Sequence, residues 1–170
     1  MDFKSFIRDV PNFPKEGVVF KDITLLLQNP ITLNETANAL LKLLDGQKID
    51  KVVGMESRGF IFGPMLAERL NAGFVPVRKP GKLPSKRISE TYNLEYGTDT
   101  LEIHLDAIEK GDKVLIHDDV MATGGTANAA CKLVEKLGGE IVQCNFLIEL
   151  TFLNGVSKIK DYPVKSLLKY

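Results

Sequence analysis

A chain of 170 residues, 44% of them hydrophobic, suits one globular domain with a real core. Its 22 basic residues balance 22 acidic ones, which excludes the global field that gathers nucleic acid or an anionic membrane. No apolar run approaches a membrane span, and the opening MDFKSFIRDV mixes both charge signs, so neither an anchor nor a secretory signal is expected. Cys131 and Cys144 sit in apolar surroundings without metal-ligand spacing; they read as buried thiols of a reducing compartment, and the cytoplasm is the expected location.

Along the chain, Asn29-Pro30 predicts an N-cap followed by proline at the first helical position. Leu33, Ala37, Leu40, Leu41 and Leu44 then recur at helical spacing, and Gly46 closes the segment. Four buried strands follow: KVVGM (51–55), FVPVR (74–78), KVLIH (113–117) and EIVQCNFLIEL (140–150). A helix after Arg58, its first turns restricted by Pro64, separates the first two. A second helix, with Ala127, Ala130, Cys131, Val134 and Leu137 on one face, separates the last two and stops at Gly138-Gly139. Strands apolar on both faces that alternate with helices predict an α/β fold: a central, mostly parallel sheet covered by helices. Ligands bind such sheets beyond the carboxyl ends of the strands.

One stretch breaks the rhythm. From Lys79 to about Asn93 no apolar run or clear period is visible, and loops of that length are commonly lids, binding loops or disorder. Between Arg78 and Arg87 it carries five basic residues and no acid, which fits either a solvated mobile loop or a collector of anions.

The segment HDDVMATGGTANAA (117–130) carries the chemistry. In Ala122-Thr123-Gly124-Gly125-Thr126, glycines admit a ligand close to the backbone, and successive N–H groups at a helix start form an anion nest. Thr123 and Thr126 add hydroxyl donors. No Lys-Ser/Thr pair follows the glycines, so this is not a P-loop. Asp118 and Asp119 would repel a phosphate unless something neutral lies between, and a ribose does so, its hydroxyls donating to the acids while its 5′-phosphate occupies the nest. Aspartates that merely cap the next helix are the alternative.

At this point VLIHDDVMATGGTA (114–127) resembles the phosphoribosyl pyrophosphate signature of the type I phosphoribosyltransferases. Residues 7–24, 54–64, 77–84, 92–97 and 147–150 resemble, in the same order, the members of that family that act on adenine. The resemblance implies the family's fold, with a small N-terminal hood over about residues 1–30 and a flexible catalytic loop over about 79–95. It implies an enzyme of purine salvage: adenine is joined to C1 of phosphoribosyl pyrophosphate, giving AMP and pyrophosphate through an oxocarbenium-like transition state.

Roles follow from the same resemblance. Asp118, Asp119, Ala122, Thr123, Gly124, Gly125 and Thr126 would hold the ribose and its 5′-phosphate. Glu56, Ser57, Arg58, Lys79, Lys82 and Arg78 would meet the pyrophosphate, with a cis peptide expected between Glu56 and Ser57. Arg78 is equally a residue reaching a neighbouring subunit or an arginine in a local ion pair. Val19, Phe20, Lys21 and Val120 would contact adenine, although core packing is a rival role for Phe20. Glu95 is the candidate acid/base, with Arg58 assisting and Tyr92 and Tyr96 closing the site. Mg²⁺ would be held mainly by substrate oxygens and water rather than by a protein cage, and a homodimer is expected.

His117 stands where the family usually has an aliphatic residue. On a buried strand it would point away from Asp118 and serve structure, while His104 in LEIHL reads as an exposed or partly buried strand residue. A phosphoribosyltransferase for another purine or orotate remains the nearest alternative. A regulator that senses phosphoribosyl pyrophosphate is the more distant one, since the chain carries no basic excess for nucleic acid.

Overall fold

The computed structural model describes residues 1–94 and 97–170, in two compact units, Met1–Ala39 and Leu40–Tyr170. In the first unit, β1 (Arg8–Pro11) pairs antiparallel with β2 (Val19–Asp22). Asp9 lies opposite Lys21, whose ammonium donates to its carboxylate at 2.7 Å. The Phe20 ring packs edge-on against Phe13, with centroids 5.2 Å apart. Just ahead of the short helix α1 (Thr24–Gln28), Asp22 accepts from the Thr24 amide at 2.9 Å. Helix α2 (Pro30–Lys42) starts as its sequence dictates: Asn29 accepts from the Ile31 amide at 2.9 Å and Pro30 occupies the first helical position.

The second unit is built on a parallel sheet. Its elements run β3 (Lys51–Met55), α3 (Gly59–Leu70), β4 (Gly73–Val77), β5 (Arg87–Asn93), β6 (Thr98–His104), β7 (Lys113–Met121), α4 (Gly125–Leu137), β8 (Glu140–Glu149) and β9 (Val164–Lys169). The sheet order is β4-β3-β7-β8-β9, every neighbour parallel, while β5 and β6 form a separate antiparallel hairpin. The α/β fold and the four anticipated strands are therefore present. Val52, Val53, Leu115 and Ile116 have no exposed surface, which is why these runs read as continuously apolar. Helix α4 buries Ala127, Ala130, Cys131 and Val134 on the predicted face and ends on Gly138 at φ +88°, a backbone conformation that glycine tolerates without strain. Among the described residues, no helix is long and apolar enough to cross a membrane.

Three expectations are corrected. The run from 79 to 93 is not irregular throughout, because residues 87–93 form β5. Its inward positions are Ile88, Glu90 and Tyr92, and the acid among them hides the alternation; Lys132 and Lys136 of α4 hold Glu90 at 3.1 and 2.7 Å. Strand β7 also extends four residues past His117, so both aspartates lie on the strand rather than in a loop. It pairs there with the second half of β8. Strand β9 was not anticipated at all; its sequence VKSLLK mixes charge with apolar residues at a sheet edge.

His117 is fully buried in the middle of β7. Its Nδ1 lies 2.7 Å from the Asn145 side-chain oxygen, and Asn145 donates in turn to the Leu40 carbonyl at 3.4 Å. An oxygen acceptor places the imidazole proton on Nδ1, leaving Nε2 as a buried nitrogen with no hydrogen-bond partner. Burial pushes the His117 pKa down from its ordinary 6.5 to about 4, against the opposing pull of Asn145. A lowered histidine pKa means that, below about pH 6.5, the unfolded chain binds a proton that the folded chain refuses until about pH 4. Stability therefore falls as pH drops through that window, by roughly 2 kcal/mol between about pH 7.5 and about pH 5 from this group alone. Urea unfolding of wild type and His117→Leu at both pH values should show the wild type losing that much more than the variant.

Candidate active site

The sheet delivers its reactive residues by ending its strands. Glu56, Ser57 and Arg58 leave the carboxyl end of β3, Arg78 and Lys79 leave β4, and the Ala122–Thr126 turn leaves β7. The peptide between Glu56 and Ser57 is cis, as the resemblance implies.

Beyond β7 an open pocket of about 70 Å³ is lined by residues that include Asp118, Val120, Ala122, Thr123, Gly124 and Thr126. Six residues singled out in the sequence thus share one concavity, at the start of α4, where backbone N–H groups and the helix dipole favour an anion. The turn is held by close backbone packing. Gly124 has φ +77°, and a Cβ on it would lie 2.2 Å from the Gly155 carbonyl oxygen. A Cβ on Gly155 would lie 2.1 Å from the Ala122 carbonyl oxygen. Gly125 faces the Tyr92 ring, where a Cβ would come within 2.9 Å. Gly59, at the start of α3, approaches Asp118 so closely that a Cβ would lie 3.0 Å from its carboxylate.

The two aspartates are not equivalent. Asp118 is half-buried, lines the pocket and accepts the Asp119 amide at 2.9 Å. Asp119 is only 4% exposed and lies against the Arg58 guanidinium at 2.8 Å. Burial, and then the charge of Asp119, push the Asp118 pKa well above the usual carboxylate range. Burial pushes Asp119 up too, with Arg58 opposing.

Every cation proposed for the pyrophosphate meets a carboxylate. Glu56 accepts from Arg78 at 3.2 Å and from the Lys79 amide at 3.0 Å, and it is ion-paired with Lys82. Burial opposes its charge, but Lys82, the Lys79 amide and Arg78 prevail and hold its pKa at about 2. Arg78 makes a local ion pair with Glu56, and its guanidinium lies 5.9 Å from the Phe60 ring. Lys79 is ion-paired with Asp99. Burial works against both charges, yet their mutual contact raises the lysine pKa and lowers that of the acid. Tyr92 hydroxyl lies 3.2 Å from Asp99 and 3.2 Å from Thr126, tying the β5–β6 hairpin to the turn.

Glu95 and Tyr96 lie outside the described residues. Val19, Phe20 and Lys21 belong to the first unit, where Val19 is about half exposed and Phe20 packs on Phe13. Sequence reasoning missed Gly155 and Asp99. The Asn154-Gly155 pair is a turn signal, but nothing local says that this turn packs against Gly124. Asp99 carries no motif of its own; only hairpin pairing brings it to Lys79.

Residues 22–168 match the Phosphoribosyl transferase domain, the class that this sheet and pocket define. The chain is 66% identical, over the full length of both, to the adenine phosphoribosyltransferase of Flavobacterium johnsoniae. It superposes with a TM-score of 0.97 on that of Thermoanaerobacter pseudethanolicus, at 52% identity over 99% of this chain and 98% of the other. It superposes at 0.93 on the Saccharomyces cerevisiae enzyme, 46% identical over 98% and 96% of the two chains. That structure holds adenine and D-2,5-dideoxy-2,5-imino-altritol 1,6-bisphosphate. The chain belongs to the adenine phosphoribosyltransferase family.

The Gly155 contact gives a test of the turn. Gly155→Ala should cost roughly 2 kcal/mol of stability by overpacking and displace the Ala122–Thr126 turn. Urea unfolding reads the first effect, and loss of phosphate-dependent thermal protection reads the second.

Proposed function

We propose that this chain transfers the 5-phosphoribosyl group of phosphoribosyl pyrophosphate to adenine, forming AMP and pyrophosphate in purine salvage. The observation that carries the reading is the shared pocket of Asp118 and the Ala122–Thr126 turn: an acid for sugar hydroxyls beside a nest for a phosphate. The relatives named above act on, or are seen with, adenine.

In this reading the turn amides, Thr123 and Thr126 hold the 5′-phosphate, while Asp118 and Asp119 face the ribose hydroxyls. The bond from C1 to the pyrophosphate oxygen breaks, and Ser57, Arg58, Arg78, Lys79 and Lys82 accept the departing charge. A bond from C1 to an adenine ring nitrogen forms, and the proton on that nitrogen passes to Glu95. Val120 lines the pocket as a contact for the base, and residues 79–86 with the β5–β6 hairpin that follows exclude water from the cationic centre.

Mg²⁺ suits the donors available. Among the described residues no group of three His, Cys, Asp or Glu side chains converges on one point, whereas Asp118 and Asp119 are hard oxygen donors beside the pocket. Substrate oxygens and water would mainly hold the ion, and it would supply positive charge to the phosphates. A cytoplasmic homodimer fits the family resemblance and the two buried, unlinked thiols.

AMP formation from adenine, phosphoribosyl pyrophosphate and Mg²⁺ tests the reading. Asp118→Asn should lower kcat/KM on the order of 10- to 100-fold through the loss of a charged acceptor. Glu95→Gln should lower kcat by roughly 100-fold or more. Wild-type protein that bound phosphoribosyl pyrophosphate yet made no AMP would overturn it.

A further inference from the structure

The carboxylates that hold the site's cations differ in what would remain to each if its cation left. Asp119 depends on its cation more: it is only 4% exposed and its Oδ2, buried against Arg58 at 2.8 Å, has no other partner, so withdrawing Arg58 would leave that oxygen unpaired. Asp99 is built otherwise. Its Oδ1 accepts the Thr100 amide at 2.8 Å, and its Oδ2 accepts the Tyr92 hydroxyl at 3.2 Å in addition to the Lys79 ammonium.

Proton accounting fixes the direction of these contacts. An ionised carboxylate only accepts, so the single Tyr92 proton points to Asp99, and Tyr92 accepts the hydroxyl proton of Thr126. Tyr92 is wedged against Gly125 and only 9% exposed, so its hydroxyl stays where Asp99 needs it. With Lys79 gone, Asp99 would still have one donor on each oxygen and a quarter-exposed side chain open to water. The Lys79–Asp99 pair can therefore open at less cost than the more deeply buried Arg58–Asp119 pair.

We propose that Asp99 is a positioning residue that competes with pyrophosphate for Lys79. It parks the ammonium when the site is empty, yields it to the bound substrate, and recaptures it as the product departs. The step is an exchange of ion pairs, with no covalent change: Lys79 trades the Asp99 carboxylate for a phosphate oxygen. Tyr92 and the Thr100 amide keep the carboxylate fixed as the place of return. The inference rests on Lys79 being a pyrophosphate contact, as in the proposed function.

The test is equilibrium binding of pyrophosphate with Mg²⁺ to wild type, Asp99→Asn, Lys79→Met and the double variant. Asparagine preserves the shape and one acceptor oxygen, which can serve the Thr100 amide while its amide nitrogen donates to the Tyr92 hydroxyl oxygen, and Asp99→Ala serves as a second probe in the same cycle. Removing the competitor should tighten binding about fivefold, the scale of a partly exposed ion pair. In the Lys79→Met background the same change should do nothing. A purely structural role would weaken binding, and a general field effect would tighten it equally in both backgrounds; either result overturns the proposal. Failure of Lys79→Met to weaken pyrophosphate binding removes the role given to Lys79 and this inference with it. A weakened Lys79→Met beside an unchanged Asp99→Asn sinks the inference alone.

Discussion

Arg58, Arg78, Lys79 and Lys82 cluster beyond the carboxyl ends of β3 and β4, and each lies against an acid: Asp119, Glu56, Asp99 and Glu56 again. Cations gathered for a polyanion repel one another until that polyanion arrives, and in a partly buried edge the repulsion is poorly screened. The compensating acids let these groups sit close together. They also explain a chain with no net charge around a site meant for a highly charged substrate: the positive charge is local and balanced residue by residue.

The second constraint is steric. The anion nest exists because backbone approaches backbone, at Gly124 against Gly155, and because side chain approaches backbone, at Gly125 against Tyr92 and Gly59 against Asp118. Each glycine removes a Cβ that would force the turn or the helix start away from the pocket. Strand β7 contributes by staying paired through Met121, which carries both aspartates on a rigid element instead of on a loop. Rigid placement of acids and amides lets a site exert its electrostatics without reorganising.

Much of this was legible beforehand because it rests on local patterns. The runs 51–55 and 140–149 are apolar at most positions on both faces, with Gln143 and Asn145 as buried exceptions, so strands buried on both faces could be read from them. Helix α4 shows its buried face in the spacing of Ala127, Ala130, Cys131 and Val134. The turn at 122–126 announces an anion by its glycines and hydroxyls. Strand β5 failed to show because Glu90 occupies an inward position that two lysines of α4 neutralise. A pattern of polarity cannot reveal a neutralised acid when its partners lie more than forty residues away.

By itself, then, the sequence determined the class of fold, four strands of the parallel sheet with the helices between them, and the residue types at the phosphate turn, since period, composition and turn chemistry are properties of neighbours in the chain. Only the tertiary structure decided which acid holds which cation, that Asp119 rather than Asp118 meets Arg58, that Gly155 closes on Gly124, and that Asp99 reaches Lys79. Those choices depend on distances between segments brought together by parallel pairing and by the β5–β6 hairpin. Hydrogen-bonded ion pairs and steric contacts act only when groups are within a few ångströms, so they cannot be known before the chain has folded.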